Sequence, residues 1–159
     1  FTLGESDAIA EYLNELAPEP AMLPEPIKER AMARALSRFH DTRIEPLLRA
    51  YFGQVVPAKR NADFIAENAA LLQRRFHQLA EIRTPSPLLT GTDLSLADCG
   101  FAPSFALLNC VQGLLGFDLT LPASIIAYRA ALCAHPSVCD EYASYVKALD
   151  EWVAAKMAD

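Results

Sequence analysis

The sequence predicts an all-α protein, and two features of its composition carry that prediction. Only 6 of the 159 residues are glycine, and long stretches are rich in the strong helix formers alanine, leucine, glutamate and arginine. Hydrophobic residues make up 52% and charged residues 21%, so the chain has enough apolar side chain to fold around a core. Its length suits one domain, or one domain with a remnant of another.

Net charge and cysteine spacing exclude several classes of protein. A formal net charge of −6 argues against a nucleic-acid partner, which would need a surplus of lysine and arginine. No apolar run approaches the ~18 residues of a membrane-spanning helix, so we expect no membrane association. Scattered histidines and the absence of a Cys-x-x-Cys pair argue against a metal site. We expect free, buried cysteines in a reducing compartment, the cytoplasm: Cys99, Cys110, Cys133 and Cys139.

The first helix is short and starts close to the beginning of the chain. Residues 1–3 are predicted to end a strand, and Gly4 to make the turn that follows. Ser6 is predicted to be the N-cap of a helix over residues 7–15, because apolar residues then recur at helical spacing.

A cluster of prolines marks a boundary after this helix. Pro18, Pro20, Pro24 and Pro26 fall close together, and proline at this density cannot continue a helix. We therefore predict a stiff linker over residues 17–25, with Pro26 in the first turn of the next helix.

Five helices are predicted after the linker, and together they form an all-helical domain over residues 26–159. Apolar spacing and the positions of proline and glycine place them at residues 26–53 (with a kink at Pro46), 60–83, 95–115, 123–134 and 137–158.

The third of these five helices is predicted to be the most buried. Ser95 and Asp98 have the spacing of a capping box, and Leu94 and Cys99 occupy the two positions of a hydrophobic staple. The residues that follow are almost wholly apolar, so this helix is expected at the centre of the core, with a kink at Pro103.

Two polar groups are candidates for chemistry. Glu5 and Ser6 lie where a helix begins, so backbone N–H groups, a hydroxyl and an acid are offered to a zwitterionic ligand. The alternative is an ordinary helix cap beside a solvated acid. The second group lies on one face of the next helix and consists of Arg34, Arg38, Asp41 and Glu45. The alternative is that this face is an ordinary solvated surface with ion pairs between successive turns.

Several of these motifs, in this order, resemble cytosolic glutathione transferases of the bacterial type. Residues 5–13 resemble the family's E-S-x-A-I-x-x-Y-L segment, and the proline linker and Ser95–Asp98 follow at similar spacing. Residues 128–138 resemble its Y-R-x-x-L-x-x-x-P-S-V stretch. The resemblance covers essentially the whole chain.

This resemblance implies a fold and a set of site residues. Residues 1–16 would be the end of a thioredoxin-like α/β domain, namely a strand end and a helix, and residues 26–159 the all-helical C-terminal domain. Glu5 and Ser6 would hold the γ-glutamyl end of glutathione. Arg38 and Asp41 would lie at the mouth of the active site or reach it from a second subunit. The residue that stabilises the thiolate would precede Phe1, so no catalytic residue is assigned.

The function implied is that of a glutathione S-transferase. Such an enzyme conjugates the glutathione thiolate to a small hydrophobic electrophile, or performs a related isomerisation, and it works in detoxification as a cytoplasmic homodimer without a metal. The alternative is a non-catalytic scaffold of the same fold that binds a hydrophobic ligand or a protein partner.

Overall fold

The computed structural model describes residues 1–158, and within that range the regular secondary structure is helical, without a strand. This confirms the all-α prediction. The last residue of the predicted helical domain, Asp159, lies outside the described residues. The α-helices are α1 (Ser6–Leu16), α2 (Ile27–Phe39), α3 (Glu45–Arg49), α4 (Ala62–Ile82), α5 (Leu96–Cys99), α6 (Phe101–Leu115), α7 (Ala123–Cys133) and α8 (Cys139–Ala158).

The N-terminal segment differs from its prediction in two details. Residues 1–4 have no regular secondary structure, because no strand of the described chain lies beside them to pair with. Helix α1 begins at Ser6 itself, so Ser6 is the first helical residue and not the N-cap. Glu5 is the N-cap, with φ 67° and ψ 115° and no capping bond from its side chain.

Polar contacts attach α1 to α2, since α1 has no buried residue of its own. The Arg34 guanidinium donates to both oxygens of Glu11, at 2.8 Å each. The Asp7 carboxylate accepts from the Ser37 hydroxyl at 2.9 Å and from Arg38 at 3.4 Å. Arginine and carboxylate therefore take the place of an apolar seam between these two helices.

The predicted helix over residues 26–53 forms as several segments. After α2 comes a π-helical turn, His40–Ile44, in which the N–H of Glu45 donates to the carbonyl of His40. Then follow α3 and a 3₁₀ turn, Ala50–Gln54. The break lies just before Pro46, whose ring would clash with the carbonyl four residues earlier and which lacks an N–H to donate. The distortion expected at Pro46 thus begins ahead of it.

Helix α6 is the most buried helix, as the sequence predicted. Eight of its side chains are buried, and Phe105 packs on Phe76 of α4 and on Tyr128 of α7, with ring centroids 5.9 and 5.8 Å apart. The helix predicted from Ser95 is interrupted at Gly100 rather than kinked at Pro103. Pro103 is the third residue of α6, where a helix needs no N–H from it.

The capping box lies at the entry to this buried helix. Both halves of the Ser95–Asp98 pair are formed, and Asp98 Oδ2 accepts from the N–H and the hydroxyl of Ser95 at 3.0 and 2.8 Å. Asp98 Oδ1 accepts from the N–H of Leu89 at 3.1 Å and from the hydroxyl of Tyr128 at 3.0 Å. A single buried carboxylate therefore connects the loop before α5, α5 itself and α7.

The cysteines depart from the expectation of burial. All four are free, but Cys99 is exposed and the other three are half-buried. Although part of Cys99 reaches the surface, the protein around its sulfur desolvates the thiol, and this desolvation, followed by the charge of Asp98, raises the pKa of the Cys99 thiol to about 11. Across residues 1–158, no helix is both long and apolar enough to cross a bilayer. No group of three metal-ligating side chains occurs in that same described range.

Candidate active site

The start of α1, the π-helical turn and the beginning of α6 line an open cavity of about 200 Å³. Its walls include Ser6, Asp41 and Ser104, with Glu45 and Arg49 from α3 and Tyr145 from α8. The cavity is therefore polar on the side of α1 and α3, although it opens in a bundle whose core is apolar.

Ser6 brings the beginning of α1 to this cavity, and Glu5 directly precedes it in the chain. The first N–H groups of any helix have no partner within the helix, so the first turn of α1 offers donors and the positive end of a dipole. The carbonyl of Glu5 accepts from the N–H of Ile9 at 3.0 Å, which closes that turn. Glu5 has a backbone φ of 67°, a region that side chains other than glycine rarely adopt and that recurs at functional sites.

A hydrogen-bonded chain of three side chains also lines this cavity. His40 is 4% exposed, and its Nδ1 lies 2.8 Å from Asp41 Oδ1 while its Nε2 lies 2.7 Å from the hydroxyl oxygen of Ser104. An ionised carboxylate only accepts, so the Nδ1 atom carries a proton. In the neutral ring, Nε2 is then the acceptor and the Ser104 hydroxyl is the donor.

The imidazole of His40 is fixed by its packing as well as by these bonds. It lies against the ring of Phe101, with centroids 4.7 Å apart. On another side it faces Gly100, where an added Cβ would come within 2.5 Å of two ring atoms. Glycine at position 100 is therefore a condition for this position of the ring.

Charged and aromatic side chains line the cavity near α3 and α8. Arg49 donates to Glu45 at 2.9 Å. Burial raises the pKa of the Tyr145 hydroxyl, and the nearby Arg49 opposes that shift. Tyr145 and Pro103 also border a second cavity of about 350 Å³, between α5, α6 and α8, which is lined largely by apolar side chains.

The structure brings some of the predicted site residues together and separates others. Ser6 and Asp41 share the 200 Å³ cavity, and Glu5 directly precedes Ser6. Arg38 instead lines a cleft between α1 and α2, where it contacts Asp7 of its own chain. Ser95 and Asp98 are buried in the interior, where they cap α5.

Two residues of the cavity, His40 and Ser104, were not among the predicted site residues. A serine inside an almost wholly apolar helix was the available signal, because a buried hydroxyl needs a hydrogen-bond partner. The partner lies 64 residues away in sequence, so spacing within α6 does not identify it.

The fold matches known structures along most of the chain. A tau-class glutathione S-transferase from mango (Mangifera indica) superposes with a TM-score of 0.71 at 19% identity, over 92% of this chain and 71% of that one. The omega-class transferase 3C of Trametes versicolor gives 0.71 at 21% identity, over 85% and 60%. The chain has the glutathione S-transferase fold.

Two further comparisons refine this picture of a glutathione transferase fold. A theta-class transferase from Xanthomonas axonopodis pv. citri, solved with glutathione bound, superposes with a TM-score of 0.64 at 24% identity, over 92% of this chain and 68% of that one. In sequence, 108 residues are 32% identical to rat (Rattus norvegicus) maleylacetoacetate isomerase, which is 67% of this chain and 49% of that protein. The chain thus spans about half the length of this curated relative. No family model matches it.

Proposed function

We propose that the chain is the helical part of a glutathione S-transferase. One observation carries the proposal: in a chain with this fold, Ser6 at the start of α1 lines the same cavity as Asp41, and Glu5 directly precedes Ser6. In this proposal residues 1–16 end the thioredoxin-like domain, residues 17–25 are the linker, and residues 26–159 are the helical domain.

Glutathione would enter this cavity by its γ-glutamyl end, which carries an ammonium and a carboxylate. The carboxylate would bind the free N–H groups of the first turn of α1 and the Ser6 hydroxyl. The carboxylates of Glu5 and Asp41 would balance the ammonium through charge-assisted hydrogen bonds. Arg38 is occupied by Asp7 in its own chain, so the proposal retains Asp41 and leaves Arg38 to the contact between α1 and α2.

The reacting thiolate needs an apolar space beside it for the electrophile. The second cavity, of about 350 Å³, adjoins the first at Pro103 and Tyr145 and has a largely apolar lining. We assign it to a small hydrophobic electrophile. No residue of the chain is assigned the stabilisation of the glutathione thiolate.

A second reaction class is favoured by the likeness to maleylacetoacetate isomerase. Conjugation joins the thiolate to an electrophile, whereas isomerisation returns glutathione unchanged. Assays of the complete protein with 1-chloro-2,4-dinitrobenzene and with maleylacetoacetate separate conjugation from isomerisation, because only conjugation consumes glutathione.

We further propose a cytoplasmic homodimer in which α1 and α2 face the partner. Large apolar side chains are exposed on these helices: Tyr12 (42%), Leu13 (54%), Leu16 (66%) and Ile27 (81%). These side chains leave apolar surface on α1 and α2 for another protein surface, which in this proposal is the partner subunit or the rest of the thioredoxin-like domain. Light scattering on the complete protein tests the assembly, and a monomer would refute it.

Calorimetric titration with glutathione tests the binding site. Glu5→Ala and Ser6→Ala in the complete protein should each weaken binding roughly 10-fold, because a charge-assisted bond contributes about 1.5–3 kcal/mol. Glu15→Ala, an exposed change near the far end of α1, is the matched control and should leave the affinity unchanged. Unaltered affinity in both site variants would favour the scaffold that binds a hydrophobic ligand or a protein partner.

A further inference from the structure

We infer that Ser104, His40 and Asp41 form a hydrolytic site that cleaves small neutral esters without glutathione. The three side chains stand in sequence along one line of hydrogen bonds, and all three line the 200 Å³ cavity. This activity is separate from the proposed transferase reaction and requires neither the thiol nor the second cavity.

The distances fit the roles that a serine nucleophile requires. The Ser104 hydroxyl oxygen lies 2.7 Å from His40 Nε2, which places a base in reach of its proton. Asp41 Oδ1 lies 2.8 Å from Nδ1, and this bond fixes the tautomer that leaves Nε2 free to accept. Nucleophile, base and orienting carboxylate are recognised by this geometry and not by their order in the chain.

The arrangement is held rigidly before any substrate arrives. Gly100 and Phe101 bracket the imidazole, and a Cβ at position 100 would overlap the ring. Ser104 lies in the most buried helix of the described chain and is 6% exposed. Fixed side chains of this kind lower the cost of reaching the reacting geometry.

The reaction follows from these positions, and water is the co-reactant. The Ser104 oxygen attacks the ester carbonyl carbon while its proton passes to His40 Nε2, and Asp41 stabilises the imidazolium that forms. The imidazolium then protonates the departing alkoxide, which leaves as an alcohol, and an acyl-serine remains. Water attacks the acyl-serine, its proton passes through His40 to the Ser104 oxygen, and the carboxylic acid is released.

Size and charge of the cavity define the substrate class. A volume of about 200 Å³ admits a short acyl chain with a small alcohol group. Asp41 and Glu45 face the cavity with Arg49 as the balancing cation, so an acyl group that bears a carboxylate is disfavoured. Ser6 lines the same cavity, and we assign the N–H groups of the first turn of α1 to the oxyanion of the intermediate.

The test combines ester hydrolysis with covalent labelling of the complete protein. Diisopropyl fluorophosphate should modify Ser104 at one equivalent, with loss of fluoride, and peptide mass spectrometry should locate the label there. Hydrolysis of p-nitrophenyl acetate without glutathione should fall about 100-fold in Ser104→Ala and about 10-fold or more in Asp41→Asn. Ser144→Ala, an exposed serine of α8, should retain the activity of the parent.

A structural role for the three residues gives a different set of results. In that case the folded parent protein takes no label at Ser104, or Ser104→Ala hydrolyses the ester as fast as the parent, and the proposal is overturned. Should Ser104→Ala fail to fold, Asp41→Asn decides, because Asp41 is partly exposed and asparagine preserves its shape. Glutathione affinity measured in parallel separates this outcome from failure of the transferase proposal.

Discussion

The hydroxyl of Tyr128 donates to Asp98 Oδ1 at 3.0 Å, and both side chains are almost completely buried. The two residues lie 30 positions apart, on α7 and at the cap of α5. Burial, followed by the charge and the hydrogen bond of Asp98, holds the pKa of Tyr128 well above its usual range. The carboxylate that caps α5, just before the core helix α6, therefore also holds α7 in place.

Tyr128→Phe removes this one bond and keeps the ring. We expect the free energy of unfolding to fall by about 1.5–3 kcal/mol, the range for a hydrogen bond to a charged group. Tyr51→Phe is the matched control, because Tyr51 is equally buried but its hydroxyl has neutral partners, the carbonyl of Ile65 at 3.4 Å and the side chain of Asn68. Urea unfolding of both variants checks the prediction, and equal losses would contradict it.

Alanine at each half of the capping box should give unequal losses. Ser95→Ala removes a cap and should cost about 1 kcal/mol. Asp98→Ala should cost more, about 3–5 kcal/mol, because it leaves the buried donors of Leu89 and Tyr128 without an acceptor. Denaturation midpoints measure both, with the exposed Asp93→Ala as control. An unchanged midpoint in both variants would show that the box does not stabilise the core.

Local sequence was enough to predict the helical regions, but not the break at the π-helical turn or the interruption at Gly100. The spacing of Ser95 and Asp98 predicts the start of a helix, which is α5 in the structure. The apolar run that follows predicts that the next helix, α6, is the central one. The bonds that Asp98 makes to Leu89 and Tyr128 were not predictable in the same way, because each depends on how distant segments pack.

The cavity illustrates the same limit. Pro46 predicts a distorted helix, but the π-helical turn that places His40 inside the bundle depends on which carbonyl accepts the N–H of Glu45. The N-cap of α1 is Glu5 and not Ser6 as predicted, because Glu5 adopts a positive φ that its residue type does not predict. Periodicity identifies faces of helices, whereas a site is formed where faces from separate helices meet.

The contact between α1 and α2 should weaken in acid. The hydrogen bond from Arg34, the largest effect, lowers the pKa of Glu11 from its ordinary value of 4.5. A lowered pKa in the folded state means that the contact is complete above pH 4.5 and is lost as the pH falls through the lowered value. Because both side chains are partly exposed, the effect should be under about 1 kcal/mol.

Hydrogen exchange of the α1 amides, measured at pH 6 and pH 3, detects this local change. Protection in the parent relative to Glu11→Gln should be several-fold at pH 6 and smaller at pH 3, because the Glu11 carboxylate becomes protonated as the pH falls. Glu19→Gln, an exposed acid of the linker that follows this helix, is the control and should match the parent at both values. Protection that does not depend on pH would mean that the pair contributes nothing.

The backbone of Glu5 should be strained, and glycine should relieve that strain. A residue other than glycine at φ 67° and ψ 115° costs about 1–3 kcal/mol, whereas glycine adopts such angles freely but loses about 0.5–1 kcal/mol more entropy on folding. Glu5→Gly should therefore raise the stability by about 1 kcal/mol. Ala10→Gly, in the middle of the same helix, should lower it by about the same amount.

If the glutathione proposal holds, Glu5→Gly also weakens glutathione binding, because the carboxylate is lost. Thermal midpoints and calorimetric titration together then show stability and affinity moving in opposite directions, the pattern expected where strain is kept for binding. Glu5→Gly with a lowered midpoint would mean that the surrounding structure accommodates this backbone without strain.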